Sequence, residues 1–422
     1  MMKKFIFYWL FLTWLFNIKY NFVPLHPSVT MGVIGAGLLL RDYLKKQWLA
    51  RQVLPLGLIV IPFALSLMPA KLLNPANFEI AYLIQNGVTP LIYLFAAYFL
   101  YFLATKIYAK VDYQRFTAIW INAVAIQSVL TIAVNTLPFM QDLLLFLIRY
   151  SEGRGLIVAS LEQGNRFIGF GTQFFGAGII YAFTIILLSF RLAQQRLAHY
   201  FVRDLLLLAF ISLVGLLLAR TVLVGIAMGA IIFCYQRYFR DYYRLALFCF
   251  MLIPTGLLLL LLFLYAVLNN LLGIDLLHSK LFYFAAELFI NLFSGSGLET
   301  ESTDILLEMY QVLPTTLMTW LVGDGFYLAQ NSVDGLYYMG IDVGYLRIIF
   351  AVGIVGLVIN LAVHSYLAAK TMALNVQRAM LYFALLALYF VLLTKGMVSF
   401  IALLGYFYLA ELAEVKYADN RK

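Results

Sequence analysis

Long apolar runs separated by short basic stretches dominate the chain, and this alternation is the first thing its 422 positions show. A helix that crosses the hydrocarbon of a bilayer needs about 20 apolar residues, because lipid offers no partner to a free backbone amide or carbonyl. The runs predict twelve spans, near residues 5–18, 26–40, 53–69, 80–104, 116–136, 174–190, 205–219, 221–236, 245–268, 343–364, 379–394 and 396–412. The first, second, seventh, eighth and eleventh fall short of that length, which leaves their edges open and makes some of them candidates for re-entrant segments. The fold expected is all-α: a polytopic integral membrane protein of about twelve transmembrane helices, with residues 1–422 forming a single transmembrane domain.

Two stretches between spans are too long to be turns. The first outer loop covers 137–173 and the large outer, periplasmic loop covers 269–342. Within the second, Leu281–Phe293 and Asp304–Val322 are apolar enough to form short helices lying on the membrane or packed over the bundle. Loops of this length in a compact protein usually carry function, so chemistry is expected on the outer face. The start, Met1-Met2-Lys3-Lys4 and then Phe5 to Phe16, has the shape of a signal peptide. Asn17, Ile18, Lys19 and Tyr20 follow in place of a small-x-small cleavage site, which predicts a retained first span. No internal repeat is visible, which weakens an inverted-repeat transporter reading.

Composition sharpens the class. The chain is 64% hydrophobic and 12% charged, against roughly 25% charged residues in soluble domains. A soluble enzyme, a nucleic-acid module and a disordered scaffold are excluded together. The net charge of +9 becomes informative once divided by side. With both termini cytoplasmic, 20 of the 29 Lys and Arg fall inside and eight outside, with Arg347 within the tenth span. Of the 20 acids, seven lie inside and thirteen outside, nine of them in 269–342. The positive-inside rule counts Lys and Arg, and it supports this topology. The inner basic residues are topogenic, with membrane lipid headgroups as their ordinary contacts. Two cysteines, Cys234 and Cys249, and four histidines in no ligand spacing give no disulfide framework and no metal site.

The basic residues that work against the insertion rule are the informative ones. Arg220 stands at the tip of a hairpin between two short spans, and an arginine at membrane depth costs about 2.5–3.5 kcal/mol on insertion scales. An acidic partner, water, an anionic substrate or snorkelling must compensate it. Arg166 lies in NRFIGFGTQFFGAG, where glycines leave the backbone open, and Arg149 and Arg154 lie upstream in RYSEGRG. Guanidinium groups hold phosphates bidentately, so Arg154, Arg166 and Arg220 are placed to converge on a diphosphate. The competing account pairs the upstream arginines with Glu152 and Glu162, and it is the stronger one for Arg149. Arg347, in DVGYLR, is equally explained by a buried ion pair with Asp342 or by a backbone carbonyl. Lys395 is a weaker cation of the same kind. Among the acids, Asp324, Asp334 and Asp342 sit near the end of the large loop. A carboxylate at the rim of a cationic pocket can serve as general base toward a sugar hydroxyl. Asp342 is also well placed to cap the tenth span, and taken alone capping is its stronger reading. His278 is the single outer-loop histidine. Tyr327, Tyr337 and Tyr338 are rings that could stack on sugars.

The hairpin AR-T followed by VLVG, the R-F-x-G-x-G before a span, and VGDGF…DVGYLRIIFAVGIVG after a long outer loop together resemble the bacterial O-antigen polymerase family (Wzy type), which is related in architecture to the O-antigen ligases. The likeness covers most of the chain as architecture and three short degenerate stretches as motifs. It implies a metal-independent glycosyltransferase of the bacterial inner membrane that needs no cofactor. Its substrates would be undecaprenyl-diphosphate-linked glycans, joined into O-antigen or a related surface polysaccharide. It further implies a chain-length-regulating co-polymerase as partner, and no nucleic acid. By the resemblance Arg220 and Arg166 bind the diphosphate with Arg154 and Arg347 in support, Asp342 is the base, and Asp324 stands second. Ligases of this group carry a histidine next to asparagine shortly before the tenth span. Here that stretch reads QNSVDGLYYMGIDVGY, which favours the polymerase over the ligase. A flippase for lipid-linked oligosaccharide is the alternative from another class. It would be expected to show two similar halves and charges spread through the bundle.

Overall fold

The computed structural model describes residues 2–75, 79–149, 154–164, 166–171, 174–239, 284, 287, 291, 301–328 and 337–419. Among them every regular element is a helix, joined by two isolated β-bridges and no strand. In chain order the helices are α1 (Met2–Leu15), α2 (Pro27–Leu44), α3 (Trp48–Leu73), α4 (Ala81–Ile107), α5 (Tyr113–Thr136), α6 (Pro138–Leu147), α7 (Arg154–Gln163) and α8 (Phe174–Gln194). They continue as α9 (Ala198–Leu218), α10 (Val222–Arg237), α11 (Glu301–Gln311), α12 (Leu317–Val322), α13 (Gly344–Leu374), α14 (Val376–Leu393) and α15 (Ile401–Asp419). Seven of these, α3, α4, α5, α8, α9, α13 and α14, are long and apolar enough to cross a membrane. The chain is therefore an all-helical protein of multi-pass character.

Several boundaries move from those the apolar runs predicted. The run 205–219 becomes a full-length helix beginning at Ala198, because Asp204 in its second turn is fully buried and held by Arg191 and Arg203. Neutralised in this way, charged residues continue a span that hydropathy alone would cut short. The last run starts later, at Ile401, since Gly396 (φ +98°) turns the preceding segment out of helix. The stretch Asp304–Val322, expected as one helix, is two, α11 and α12, divided around Pro314. Proline removes a backbone donor and displaces its predecessor from helical geometry. The predicted span 245–268 lies outside the described residues.

Between apolar helices in lipid there is little hydrophobic driving force, so close approach of small residues does the packing. The central helix, α8, is buried around almost its whole circumference. Against it lies α10, whose Gly225 and Gly229 face Ala182 and Ser189; a Cβ on Gly229 would sit 2.6 Å from the Ser189 hydroxyl. The loops sort to two ends of the bundle. At one end, Arg149 donates its amide to the Lys19 carbonyl (2.8 Å), and Glu79 accepts from the amides of Tyr327 (3.1 Å) and Leu328 (2.9 Å). At the other, Tyr98 donates to Asp42 (2.9 Å), and Arg378 pairs with Glu411 (2.7 Å) and Glu414 (2.9 Å).

One helix is broken in a way the apolar pattern does not reveal. Gly353, inside α13, has φ +69° and ψ −175°, so the first nine residues form a half-helix set off from the rest. Backbone of this kind at membrane depth is tolerated only where protein covers it. Here α12 and Gly323 supply the cover: a Cβ on Gly353 would overlap the Leu321 carbonyl, and one on Gly323 would lie 2.5 Å from the Val352 amide. The Asp324 amide donates to the Phe350 carbonyl (2.7 Å), satisfying an acceptor that the break leaves open.

Candidate functional site

A cavity of about 570 Å³ opens at the loop-rich end, between α7, the segment before α8, the α9–α10 hairpin, α11 and the α14–α15 loop. Its cations are Arg166, Arg220 and Lys395, and its one lining acid among the described residues is Asp342. Phe174, Phe175, Leu306 and Met309 supply apolar wall.

Arg166 is positioned by the backbone that follows it. Phe167 donates its amide to the Leu217 carbonyl (2.9 Å), and Ile168 exchanges two hydrogen bonds with the Asn135 side chain (2.9 and 3.0 Å). Gln127 donates to the Phe170 carbonyl (2.8 Å). Gly171 (φ +111°) passes so close to α1 that a Cβ would lie 2.6 Å from the Phe16 carbonyl oxygen. The glycine at 171 is thus a packing requirement. The Arg166 guanidinium lies 3.3 Å over the Phe174 ring, a face that attracts a cation by its quadrupole.

Arg220 stands where α9 ends and α10 begins, with only Ala219 and Thr221 beside it in the turn. Its Nε donates to the Phe284 carbonyl (3.1 Å), its guanidinium lies 4.5 Å over the Phe284 ring, and its Nη2 pairs with the Glu287 carboxylate. Phe284, Glu287 and Asn291 are helical residues of the expected loop helix Leu281–Phe293. Of the compensations weighed for Arg220, the acidic partner is the one found. Glu287 was missed as a candidate, although it is the single charge in that apolar stretch and so mirrors the arginine left without an obvious partner.

Asp342 does not cap α13, against the reading its position favoured. The N-cap is Val343, with no side-chain hydrogen bond, and Asp342 Oδ1 instead accepts from Arg347 Nη1 (3.0 Å). A guanidinium one turn inside the helix outcompetes a backbone amide because the bond is charged on both sides. Arg347 is buried, with its side chain 3% exposed against 55% for Asp342. It donates to the Gly396 carbonyl (3.2 Å) and the Tyr327 hydroxyl (2.5 Å), and it lies 3.3 Å over the Tyr337 ring. Both accounts offered for it, ion pair and carbonyl, hold at once. It lies behind Asp342 and is not among the residues lining the cavity. Although more than half of the Asp342 side chain reaches solvent, the protein around it desolvates the carboxyl enough to raise it above the ordinary aspartate range, and the Arg347 charge restrains that rise. Burial lowers the Lys395 ammonium, and the neighbouring Arg220 charge adds to the effect.

The remaining expectations divide. Asp324 is not among the cavity-lining residues; its Oδ1 accepts from the Thr319 hydroxyl (2.7 Å) and its amide serves the α13 break. Arg154 begins α7, whose Ser160 lines the cavity, but its side chain lies outside the described residues. Arg149 is exposed and engaged by its backbone with Lys19. Asp334 and His278 fall outside the described residues. Tyr327 and Tyr337 are occupied around Arg347. No group of three or more His, Cys, Asp or Glu suited to a metal ion occurs among the described residues.

Fold and site thus define a multi-pass helical membrane protein with an aromatic-walled cationic cavity at one end of its bundle. The chain matches no family model, no curated protein and no solved structure.

Proposed function

We propose that the chain is a polymerase of undecaprenyl-diphosphate-linked oligosaccharide repeat units, acting at the periplasmic face of the bacterial inner membrane as a glycosyltransferase of the O-antigen polymerase type. The observation that carries this reading is the gathering of Arg166, Arg220 and Lys395 with one carboxylate, Asp342, around a single cavity. Glycosyl transfer from a lipid diphosphate develops negative charge on the leaving group. Fixed cations placed where that charge grows lower the barrier without reorganising. In the proposed step a hydroxyl at the non-reducing end of one glycan attacks the anomeric carbon of the other. The bond from that carbon to the diphosphate oxygen breaks, and the polyprenyl diphosphate leaves with the electron pair. Asp342 takes the hydroxyl proton. Its Oδ1 is oriented by Arg347, while Oδ2 accepts no hydrogen bond from a described residue. Arg220 and Arg166 hold the diphosphate, which competes with the Glu287 carboxylate for Arg220. The wall of Phe174, Phe175 and Met309 suits the polyprenyl chain or a sugar face.

The test uses cells lacking their own polymerase, with glycan length read on a gel. The wild-type chain is expected to produce a ladder, and Arg220→Ala at equal membrane level a single-repeat band. A wild-type chain that gives no ladder but restores translocation to a flippase-deficient strain overturns this reading in favour of transport.

A further inference from the structure

We propose that a second cavity, at the opposite end of the bundle, is a binding site for a phosphate-bearing anion. It measures about 510 Å³ and lies between the start of α5, the end of α8 and the start of α9. That volume falls within the range of small-molecule sites, about 300–1,000 Å³.

Three arginines line it, Arg191, Arg203 and Arg378, together with Gln114, Gln194 and Gln195. No acid is among the described residues that line it. The balancing carboxylates stand behind the wall. Asp204, 0% exposed, accepts from Arg191 Nε (2.8 Å) and Nη2 (2.5 Å), from Arg203 Nε (3.0 Å) and from Gln195 (3.2 Å). Glu411, also buried, and Glu414 hold Arg378, whose guanidinium lies 3.7 Å over the Tyr113 ring. Each acid therefore fixes the orientation of a guanidinium without entering the cavity.

Two arginines on one buried aspartate exceed what neutralising it requires. Their donors are also not used up: Nη1 of Arg191 and Nη1 of Arg203 donate to no described residue. Planar guanidinium groups held in this way present hydrogen-bond donors in the fork geometry that phosphate oxygens accept. The positive end of the α5 dipole adds to the same field. Because the site sits where spans end, an anionic lipid headgroup and a soluble phosphate compound share the required chemistry. The inference is independent of the polymerase reading, since it concerns the other end of the bundle and no glycan.

The experiment uses the full-length protein, purified and stripped of lipid in detergent. It is titrated separately with phosphatidylglycerol, phosphatidylcholine and inorganic phosphate, and bound molecules are counted by native mass spectrometry. Wild type is expected to take up one saturating phosphatidylglycerol in preference to phosphatidylcholine. Arg203→Gln and Gln114→Glu should each weaken that binding about tenfold, the worth of one charge-assisted contact. Both variants should retain the fold. Arg191 still holds Asp204 in the first, and in the second an acid in the first turn of α5 suits the helix dipole. Phosphatidylglycerol bound more tightly than inorganic phosphate identifies a lipid headgroup, and equal affinity identifies a soluble phosphate compound. Either upholds the site. Equal binding of the two lipids, or variants that bind as wild type does, overturns it.

Discussion

Arg220 has a structural role on view and a proposed one, and both draw on the same chemistry. Its guanidinium is costly near the membrane, and Glu287 with the Phe284 carbonyl and ring compensates it. The same donors would serve a diphosphate once Glu287 yields. Arg166 differs in lying over the Phe174 ring. Arg166→Lys keeps the charge but loses the planar fork, so chain extension should fail despite normal protein level, as read by glycan length. Normal lengths would remove Arg166 from the site. For Asp342 the expectation is sharper, because capping is no longer available to explain a loss. Asp342→Asn should still bind lipid-linked glycan yet not extend it, while Asp324→Ala, losing one hydrogen bond to Thr319, should cost about 1 kcal/mol of stability and spare the reaction. A base must be ionised to act, and partial desolvation raises the Asp342 carboxyl. The rate should therefore fall, as pH is lowered, at a higher pH than an ordinary aspartate would dictate. The rate profile of the purified wild-type protein checks this, and an acid limb no higher than an ordinary aspartate dictates would assign that limb to another group.

At the scale of elements, hydropathy reads the interior of a span better than its ends. The run 205–219 was legible as apolar, but the extension of α9 back to Ala198 rests on Arg191, from the preceding helix, reaching Asp204. Such a pairing is between elements and leaves no mark on the local pattern. The break in α13 is similar. A glycine among apolar residues looks like any other small residue of a span, and only the arrival of α12 against Gly353 shows why that position cannot carry a Cβ. Gly353→Ala combines a backbone region open essentially to glycine alone with a steric overlap, and should cost about 3 kcal/mol or more. Thermal unfolding in detergent measures it. If the variant is as stable as wild type, the half-helix geometry is wrong.

Across the whole molecule, the distribution of charge turns a bundle of apolar helices into one with two different ends. The loop-rich end gathers three cations and a carboxylate around a cavity, and at the opposite end arginines line a second cavity while buried Asp204 and Glu411 hold them from behind. The inner and outer assignments follow the excess of Lys and Arg on one side. They predict that single cysteines at Asn21 and Gln141, in a chain freed of its two native cysteines, react with an impermeant thiol reagent in intact spheroplasts. Cysteines at Lys45 and Gln195 should react only after the membrane is opened. The reverse pattern would invert the topology and move the cavity to the cytoplasm.

The sequence by itself determined the all-helical, membrane-embedded class and singled out most of the groups worth asking about. Both depend on which residues prefer lipid to water, and that preference is a property of each residue type. Which of those groups meet was decided by tertiary structure. Arg166, Arg220, Lys395 and Asp342 come from four separate segments, and Asp324, close to Asp342 in the chain, is turned to another task. Glu287 opposite Arg220 and Arg347 behind Asp342 belong to the same class of fact. A charge in a low-dielectric setting takes whichever partner the packed helices bring to it, and that choice is made between elements.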